Sequence, residues 1–176
     1  PVKIVYHTPM SKRTLVIAAL ILVTLPAAGC AKKAAEKTAE NAIEKSTNGA
    51  ADVDIKDNSV TINTNGGSWQ TGEQVSLPSG FPSDIYVVDG TIKTAVTTVA
   101  GQAYMIALSS TKTVSEIKAL YESKLVSDGW TITANMTIQT SVSLVAEKGN
   151  RTVTLNISPS DDGTTVVSLT TAEKSN

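Results

Sequence analysis

The chain has little of the chemistry on which most catalytic and metal sites depend. Among its 176 residues there is one cysteine, Cys30, and one histidine, His7, and only 4% of the residues are aromatic. A single cysteine leaves no partner for a disulfide within the chain. Because no histidine follows residue 7, a Ser-His-Asp triad, a Cys-His pair and a zinc site of His and Cys ligands are excluded from the rest of the sequence.

Concentrated positive charge is missing as well. The 15 basic and 16 acidic residues give a net charge of −1, and no basic cluster stands out. A mildly acidic chain without a basic patch argues against nucleic acid as a partner. No glycine-rich loop that would hold a phosphate follows any predicted strand. We therefore expect no cofactor, no catalytic residue and no enzymatic activity.

Two groups of acidic residues have the composition of cation sites but not the pattern. The spacing Asp52, Asp54, Asp57 offers carboxylate oxygens to calcium. However, it lacks the glycine and the final glutamate of an EF-hand loop, and it alternates with apolar residues as a strand does. The sequence Asp161-Asp162-Gly163 is typical of a turn. The chain therefore predicts no metal site.

The most informative segment runs from Met10 to Cys30, MSKRTLVIAALILVTLPAAGC. Lys12 and Arg13 give it a positively charged start, Leu15 to Leu25 form an apolar stretch, and small residues lead into the cysteine. This layout is typical of a targeting signal and not of a folded domain. It resembles a bacterial lipoprotein signal peptide, in which the cysteine becomes the lipid-modified first residue of the mature protein.

The resemblance implies cleavage between Gly29 and Cys30, a lipid such as palmitate on Cys30, and attachment to the extracytoplasmic side of a bacterial membrane. Ala31 after the cysteine fits export to an outer membrane, if the organism has one. Two alternatives stay open. Simple secretion is one, since Ala27 and Gly29 also satisfy an ordinary cleavage site. An uncleaved membrane anchor is the other, since the apolar stretch is close to the minimum span of a bilayer. Residues 1–9 precede the expected start and are excluded from the predicted fold, so residues 1–29 are upstream sequence and signal peptide.

Residues 30–51 are predicted as a lipidated N-terminus and a tether. Without residues 1–29 the chain keeps twelve basic and sixteen acidic residues, a net charge of −4. The tether is rich in Ala, Lys and Glu, which are strong helix formers, yet Ile43 is its only large apolar side chain. Because a lone helix of this length is marginal in water, we expect either a helical spacer or a disordered leader.

After the tether, apolar residues recur with a period of two, which predicts strands. Val53, Ile55, Val60 and Ile62 alternate with polar residues, so residues 52–77 are predicted as a small β meander.

Two prolines and a glycine then interrupt regular structure. Gly80, Phe81 and Pro82 are the candidate interaction loop, because recognition tends to lie on loops held by a rigid scaffold. The alternative is that Phe81, the only phenylalanine, closes the edge of the core.

Residues 78–176 are predicted as an α+β domain. A helix is expected near 113–128, because Thr113 and Glu116 form a capping box and Gly129 suits the C-terminal cap. The expected fold class is an antiparallel β-sheet packed against this one amphipathic helix, preceded by the signal peptide and the tether. Strands are predicted at 84–88, 91–99, 102–108, 130–134, 138–147, 151–158 and 164–171.

The spacing of Tyr121, Leu125, Gly129 and Trp130 resembles a small uncharacterised α+β domain of bacterial envelope lipoproteins, over roughly Leu77 to Leu169. The resemblance supports the fold and the envelope location and implies no active-site residues. Three classes of function remain. The leading one is a membrane-anchored, structural or partner-binding module of the cell envelope with an envelope protein as partner. The second is a carrier or sensor of a small ligand, with a groove beside the helix. The weakest is a cell-wall hydrolase, since no nucleophile and base can be named.

Overall fold

The computed structural model describes residues 30–56, 58–98 and 102–174. These residues form two helices and nine strands. The helices are α1 (Cys30–Ser46) and α2 (Val114–Ser127). The strands are β1 (Ala51–Lys56), β2 (Ser59–Thr64), β3 (Gly67–Gly72), β4 (Thr91–Thr98), β5 (Ala103–Ser110), β6 (Thr131–Ile138), β7 (Ser141–Lys148), β8 (Arg151–Pro159) and β9 (Thr165–Glu173).

All nine strands belong to one antiparallel sheet, in the order β1-β2-β3-β4-β5-β9-β8-β7-β6. The predicted fold class, an antiparallel sheet against one helix with a tether in front, is therefore wrong. Strand makes up 49% and helix 21% of the structure, and there are two helices. The residues predicted as a small meander supply β1, β2 and β3, and β3 pairs with β4 from Gly67–Thr98 to Thr71–Thr94. A single extended sheet replaces the smaller one expected.

The chain crosses the sheet once by way of α2. After β5, near the middle of the sheet, α2 leads to β6 at the far edge. From there β7, β8 and β9 return strand by strand until β9 pairs with β5. Helix α2 therefore lies over the strands that follow it and contacts β6, β7 and β8.

The main core lies between α2 and one face of strands β4 to β9. Register places Ile106 opposite Leu169, and Leu169 opposite Leu155, so the inward side chains of neighbouring strands form continuous rows. The other face of these strands carries Ser or Thr at about half of its positions. This alternation agrees with an antiparallel sheet that buries one face. The fully buried aliphatic residues of the rows are Ile106, Leu108, Leu144, Val153, Leu155, Ile157, Val167 and Leu169.

Short-range signals define the ends of α2. The Thr113 hydroxyl accepts a hydrogen bond from the Glu116 amide, and the Glu116 carboxylate accepts one from the Thr113 amide at 2.8 Å. At the other end Gly129 has φ of +82°, a conformation that glycine adopts without strain. Ile117, Tyr121 and Leu125 are buried in the core. Their spacing of four residues puts them on one face of the helix.

Residues 84–88 are not a strand, contrary to prediction. They lie in the irregular segment between β3 and β4, which packs beside α2 and buries Ile85 and Val88. The Val88 amide donates to the Tyr121 hydroxyl at 3.3 Å, so a side chain takes the place of a neighbouring strand. The strand-like spacing of the apolar residues did not reveal that they lack a strand partner.

The turn between β6 and β7 also differs from the prediction. It was expected near residues 135–137, whereas the ladder continues to the pair Ile138–Ser141 and turns at Gln139 and Thr140. Gln139 has φ of +54°, which is uncommon for a residue other than glycine. Since no glycine or proline marks this turn, its position was not visible in the sequence.

Helix α1 runs along the free edge of β1. The amides of Val53 and Ile55 donate to the carboxylates of Glu44 and Glu40, at 3.4 and 2.9 Å. Val53 is buried and Glu40 is only 5% exposed. The segment predicted as a tether is thus a helix packed on the sheet, and its glutamates satisfy edge amides that water or another strand would otherwise bind.

Candidate functional site

A groove lies beside the N-terminal end of α2. Its volume is about 530 Å³. Three segments form it: the start of α2 with the residues before it, the β6–β7 turn, and the β8–β9 turn. Its lining consists of Thr111, Lys112, Thr113, Val114, Ser115, Lys118, Thr137, Gln139, Thr140, Val142, Pro159, Ser160, Gly163, Thr164 and Thr165.

Local hydrogen bonds fix the β8–β9 wall of the groove. The Asp162 carboxylate accepts from the Thr164 amide at 2.9 Å and from its hydroxyl at 2.6 Å. These two bonds lower the pKa of Asp162. The Ser109 hydroxyl, on β5, bonds the Thr164 hydroxyl at 2.8 Å. The turn is therefore held both within itself and from the neighbouring strand.

The capping box fixes the wall formed by α2. The Thr113 amide and hydroxyl hold the Glu116 carboxylate and lower its pKa, so this acid stays ionised and engaged with the helix end. Thr113 and Ser115 line the groove next to it. The first turn of α2 is thus a rigid part of the site.

The ionisable side chains that line the groove are all basic. Lys112 and Lys118 are its only ionisable residues, and it contains no carboxylate or aromatic ring. Lys118 also pairs with Glu122 one helical turn further on, at 3.1 Å. The remaining polar groups are hydroxyls and one amide, which both donate and accept hydrogen bonds. The groove therefore offers several hydrogen bonds and two ammonium groups, one of which is already paired with Glu122, to a polar molecule.

The interior beneath the groove is filled by the protein's own side chains. Tyr121, Leu144 and Leu155 have no exposed surface, and burial raises the pKa of the Tyr121 phenol to about 12. That hydroxyl remains protonated and holds the Val88 amide. Its role is structural, and an apolar ligand would have to displace core residues to enter there.

A second cluster of charged groups lies at the opposite end of α2. The Asp84 carboxylate binds the Arg151 guanidinium through two hydrogen bonds, of 2.9 and 2.6 Å, and the Lys148 ammonium through one of 2.8 Å. Arg151 also stacks over the Trp130 ring, 5.0 Å from its centroid. Because every charge of this cluster has a partner, we interpret it as a structural ion-pair cluster that holds the segment before β4 in place.

The structure places the sequence-predicted residues apart from the groove. Cys30 begins α1, whereas Gly29 and the rest of the predicted signal peptide lie outside the described residues. Phe81 packs edge to face against Tyr104, with ring centroids 5.7 Å apart, and Pro82 beside it is half-buried, while Gly80 is exposed. Phe81 thus lies in a loop and contacts the core. This position is compatible with both predictions for Phe81, an interaction loop and closure of the edge of the core.

Within residues 30–174, apart from the gaps at 57 and 99–101, no group of three or more His, Cys, Asp or Glu side chains is arranged to hold a metal. In the same part of the chain no helix is long and apolar enough to cross a bilayer.

The part of the chain that contains the groove is similar to a known protein family. Residues 92–165 match the model of the family described as START domain-like. This segment is 74 of the 176 residues, and it contains every residue that lines the groove. An antiparallel sheet with a packed helix fits a START-like fold. No match was found among curated proteins or among solved structures.

The residues of the groove are not visible in the sequence. A groove beside the helix was predicted, but none of its lining residues was. The lining comes from three segments that are each a turn or a helix start rich in Ser and Thr. Such composition is typical of any loop, so only the strand register brings these segments together.

Proposed function

We propose that the domain binds a small polar ligand in the groove at the N-terminal end of α2. The observation that carries the proposal is that the segment similar to START domain-like proteins contains the whole groove lining. Domains of that description are typically binding domains. The geometry adds a concave surface with hydroxyl, amide and ammonium groups that converge from rigid elements, as ligand sites commonly do.

The chemistry of the lining favours a neutral or anionic ligand that carries several hydroxyl, carboxylate or phosphate oxygens. Lys112 and Lys118 would attract negative charge, although Lys118 already pairs with Glu122 and the Glu116 carboxylate lies beside the groove. A long apolar ligand is disfavoured, because the space between α2 and the sheet is already occupied by core side chains.

The test is a screen of small sugars, phosphate esters and carboxylates for a rise in thermal stability. We expect at least one class to raise the melting temperature, since a ligand that binds only the folded state stabilises it. Ser115→Trp should fill the groove and abolish that rise. Ser123→Trp, at an exposed position on the same helix and outside the groove, should retain it. Stabilisation that survives Ser115→Trp would contradict the proposed site.

We also propose that this binding domain is attached to the cell envelope through a lipid on Cys30. The support is the sequence pattern from Met10 to Cys30 together with the lack of a partner for the single cysteine. An anchored domain gains effective concentration toward any molecule on the same membrane. An envelope protein that presents a polar or anionic group is then a further class of partner.

Mass spectrometry of the protein purified from a bacterial membrane tests the anchor. The N-terminal peptide should begin at Cys30 and carry a diacylglyceryl-sized addition, since one acyl chain alone gives only marginal membrane binding. Cys30→Ser should leave the protein in the soluble fraction. An unmodified Cys30 thiol on a correctly cleaved chain would contradict the anchor and leave the groove unaffected.

A further inference from the structure

The two edges of the sheet are protected very differently. At one edge, β1 has charged residues at alternate positions and is covered by the glutamates of α1. At the other edge, β6 has the sequence TITANMTI, with no charge and no proline. Its side chains Met136 and Ile138 are 54% and 66% exposed. Proteins normally protect edge strands with charge, proline or a covering element, so an open edge of this kind is suited to pairing with another strand.

The hairpin geometry shows which backbone groups of β6 are free. Ile138 and Ser141 flank the two-residue turn and form the first pair of the ladder. In such hairpins that pair is hydrogen-bonded and the bonding then alternates along the strand. Met136 therefore bonds to Ser143, while the amides and carbonyls of Asn135 and Thr137 point to the open edge.

We propose that β6 is a dimerisation strand that pairs antiparallel with β6 of a second copy of this chain. A two-fold axis at Met136 places Asn135 opposite Thr137 of the second copy, and these are the residues whose backbone groups are free. The ladder then joins two nine-stranded sheets into one. An interface of this kind is isologous, with the same residues on both sides.

The side chains of β6 are complementary to themselves in this register. On the outer face, Met136 meets Met136 of the second copy, and the large Ile138 meets the small Ala134. These are the non-hydrogen-bonded pairs, in which side chains approach most closely. Because β6 has no charged side chain, no like charges of the two strands meet at the two-fold axis. Thr137 also lines the groove, so the dimer would place the rims of two grooves next to the interface.

Sedimentation equilibrium of the 176-residue chain, with Cys30→Ser to prevent unrelated disulfides, measures the association. We expect the mass of a dimer, which dissociates on dilution. Met136→Lys should give a monomer, because it places two like charges against each other at the axis. Val126→Lys, at a site that is 61% exposed on α2, should remain a dimer. A parent chain that is monomeric across the concentration series, or a dimer that Met136→Lys leaves intact, would overturn the proposal.

A cross-linking experiment gives an answer even if the lysine variant fails to fold. In the Cys30→Ser background, Met136→Cys should form a covalent dimer on mild oxidation, since the two positions face each other across the axis. Val166→Cys, on the outer face of β9 away from the edge, should stay monomeric. Equal cross-linking of the two variants would show random collision and would contradict the register.

Discussion

At the scale of single residues, Asp84 connects parts of the chain that are far apart in the sequence. Its carboxylate joins the irregular segment before β4 to Arg151 and Lys148 on β8 and β7. The Trp130 indole donates to the Asp84 carbonyl oxygen at 3.2 Å. Side chain and backbone thus hold the same residue, and this segment supplies Ile85 and Val88 to the core.

Replacing Asp84 by Asn should destabilise the domain in a pH-dependent way. Hydrogen bonds from Arg151 and Lys148 hold the pKa of the Asp84 carboxyl well below its usual range. The stabilisation is therefore complete above the unfolded-state pKa of about 4 and is lost as the pH falls towards the folded-state value. At neutral pH we expect a loss of about 1–2 kcal/mol, because bonds to charged groups are strong but this site is partly exposed.

Chemical denaturation of the parent and of Asp84→Asn from neutral to acidic pH measures this effect. The difference in unfolding free energy should narrow as the pH falls below about 4. Asp161→Asn, at an exposed turn position, is the matched control. Its unfolding free energy should equal that of the parent at each pH. A difference that stays constant with pH would mean that Asp84 acts through packing and not through its charge.

Predictability at this scale depends on distance along the chain. The capping box of Thr113 and Glu116 spans three residues, and its pattern is legible in the sequence. The partners of Asp84 are 64 and 67 residues away. No local sequence pattern links residues that are this far apart. The ion pairs of Asp84 therefore cannot be predicted until the fold is known.

At the scale of elements, α1 is the part of the structure that departs most from expectation. Its apolar content is too low for ordinary burial, and the tether prediction followed from that fact. The contacts it makes are polar: two glutamates accept amides from the edge of β1. Lys37 supports Glu40 from the same helix at 3.0 Å. The hydrogen bond from the Ile55 amide lowers the pKa of Glu40, and Lys37 lowers it further.

Glu40→Ala should loosen this edge without unfolding the sheet. The Ile55 amide loses a charged acceptor, a bond worth about 1.5–3 kcal/mol. Its hydrogen exchange should therefore rise by roughly 10- to 100-fold, at about 1.4 kcal/mol per tenfold step. Lys33→Ala, at an exposed position of α1, serves as the control for helix propensity. Unchanged exchange at Ile55 would show that α1 does not protect this edge in solution.

The strands were predicted well where turn residues mark their ends and poorly elsewhere. Gly149 and Asn150 separate β7 from β8, and the end of β7 and both ends of β8 were placed close to their observed limits. The β6–β7 turn has neither glycine nor proline, and the boundary was misplaced. Residues 84–88 have strand-like composition, but packing against α2 took the place of a ladder. Composition and period thus identified buried segments better than they identified pairing.

At the scale of the whole molecule, the domain has two separate candidate binding surfaces, the groove beside α2 and the sheet edge at β6. The edge at β1 is closed by α1, and the edge at β6 is open. The groove lies between α2 and the turns that join β6 to β7 and β8 to β9. Neither the joining of all nine strands nor the residues that line the groove could be predicted, because both depend on the return of β9 to β5 across 55 residues or more.

The central claim is that the groove beside α2 is a ligand site, and mapping of amide chemical shifts by NMR tests it most directly. The ligand with the largest thermal stabilisation is titrated into the 176-residue chain carrying Cys30→Ser. The account predicts that the perturbed amides cluster within residues 111–118, 137–142 and 159–165, and that Ser115→Trp, but not Ser123→Trp, removes the perturbation. Perturbations centred on the outer face of the sheet or on α1, with these three segments unchanged, would contradict it.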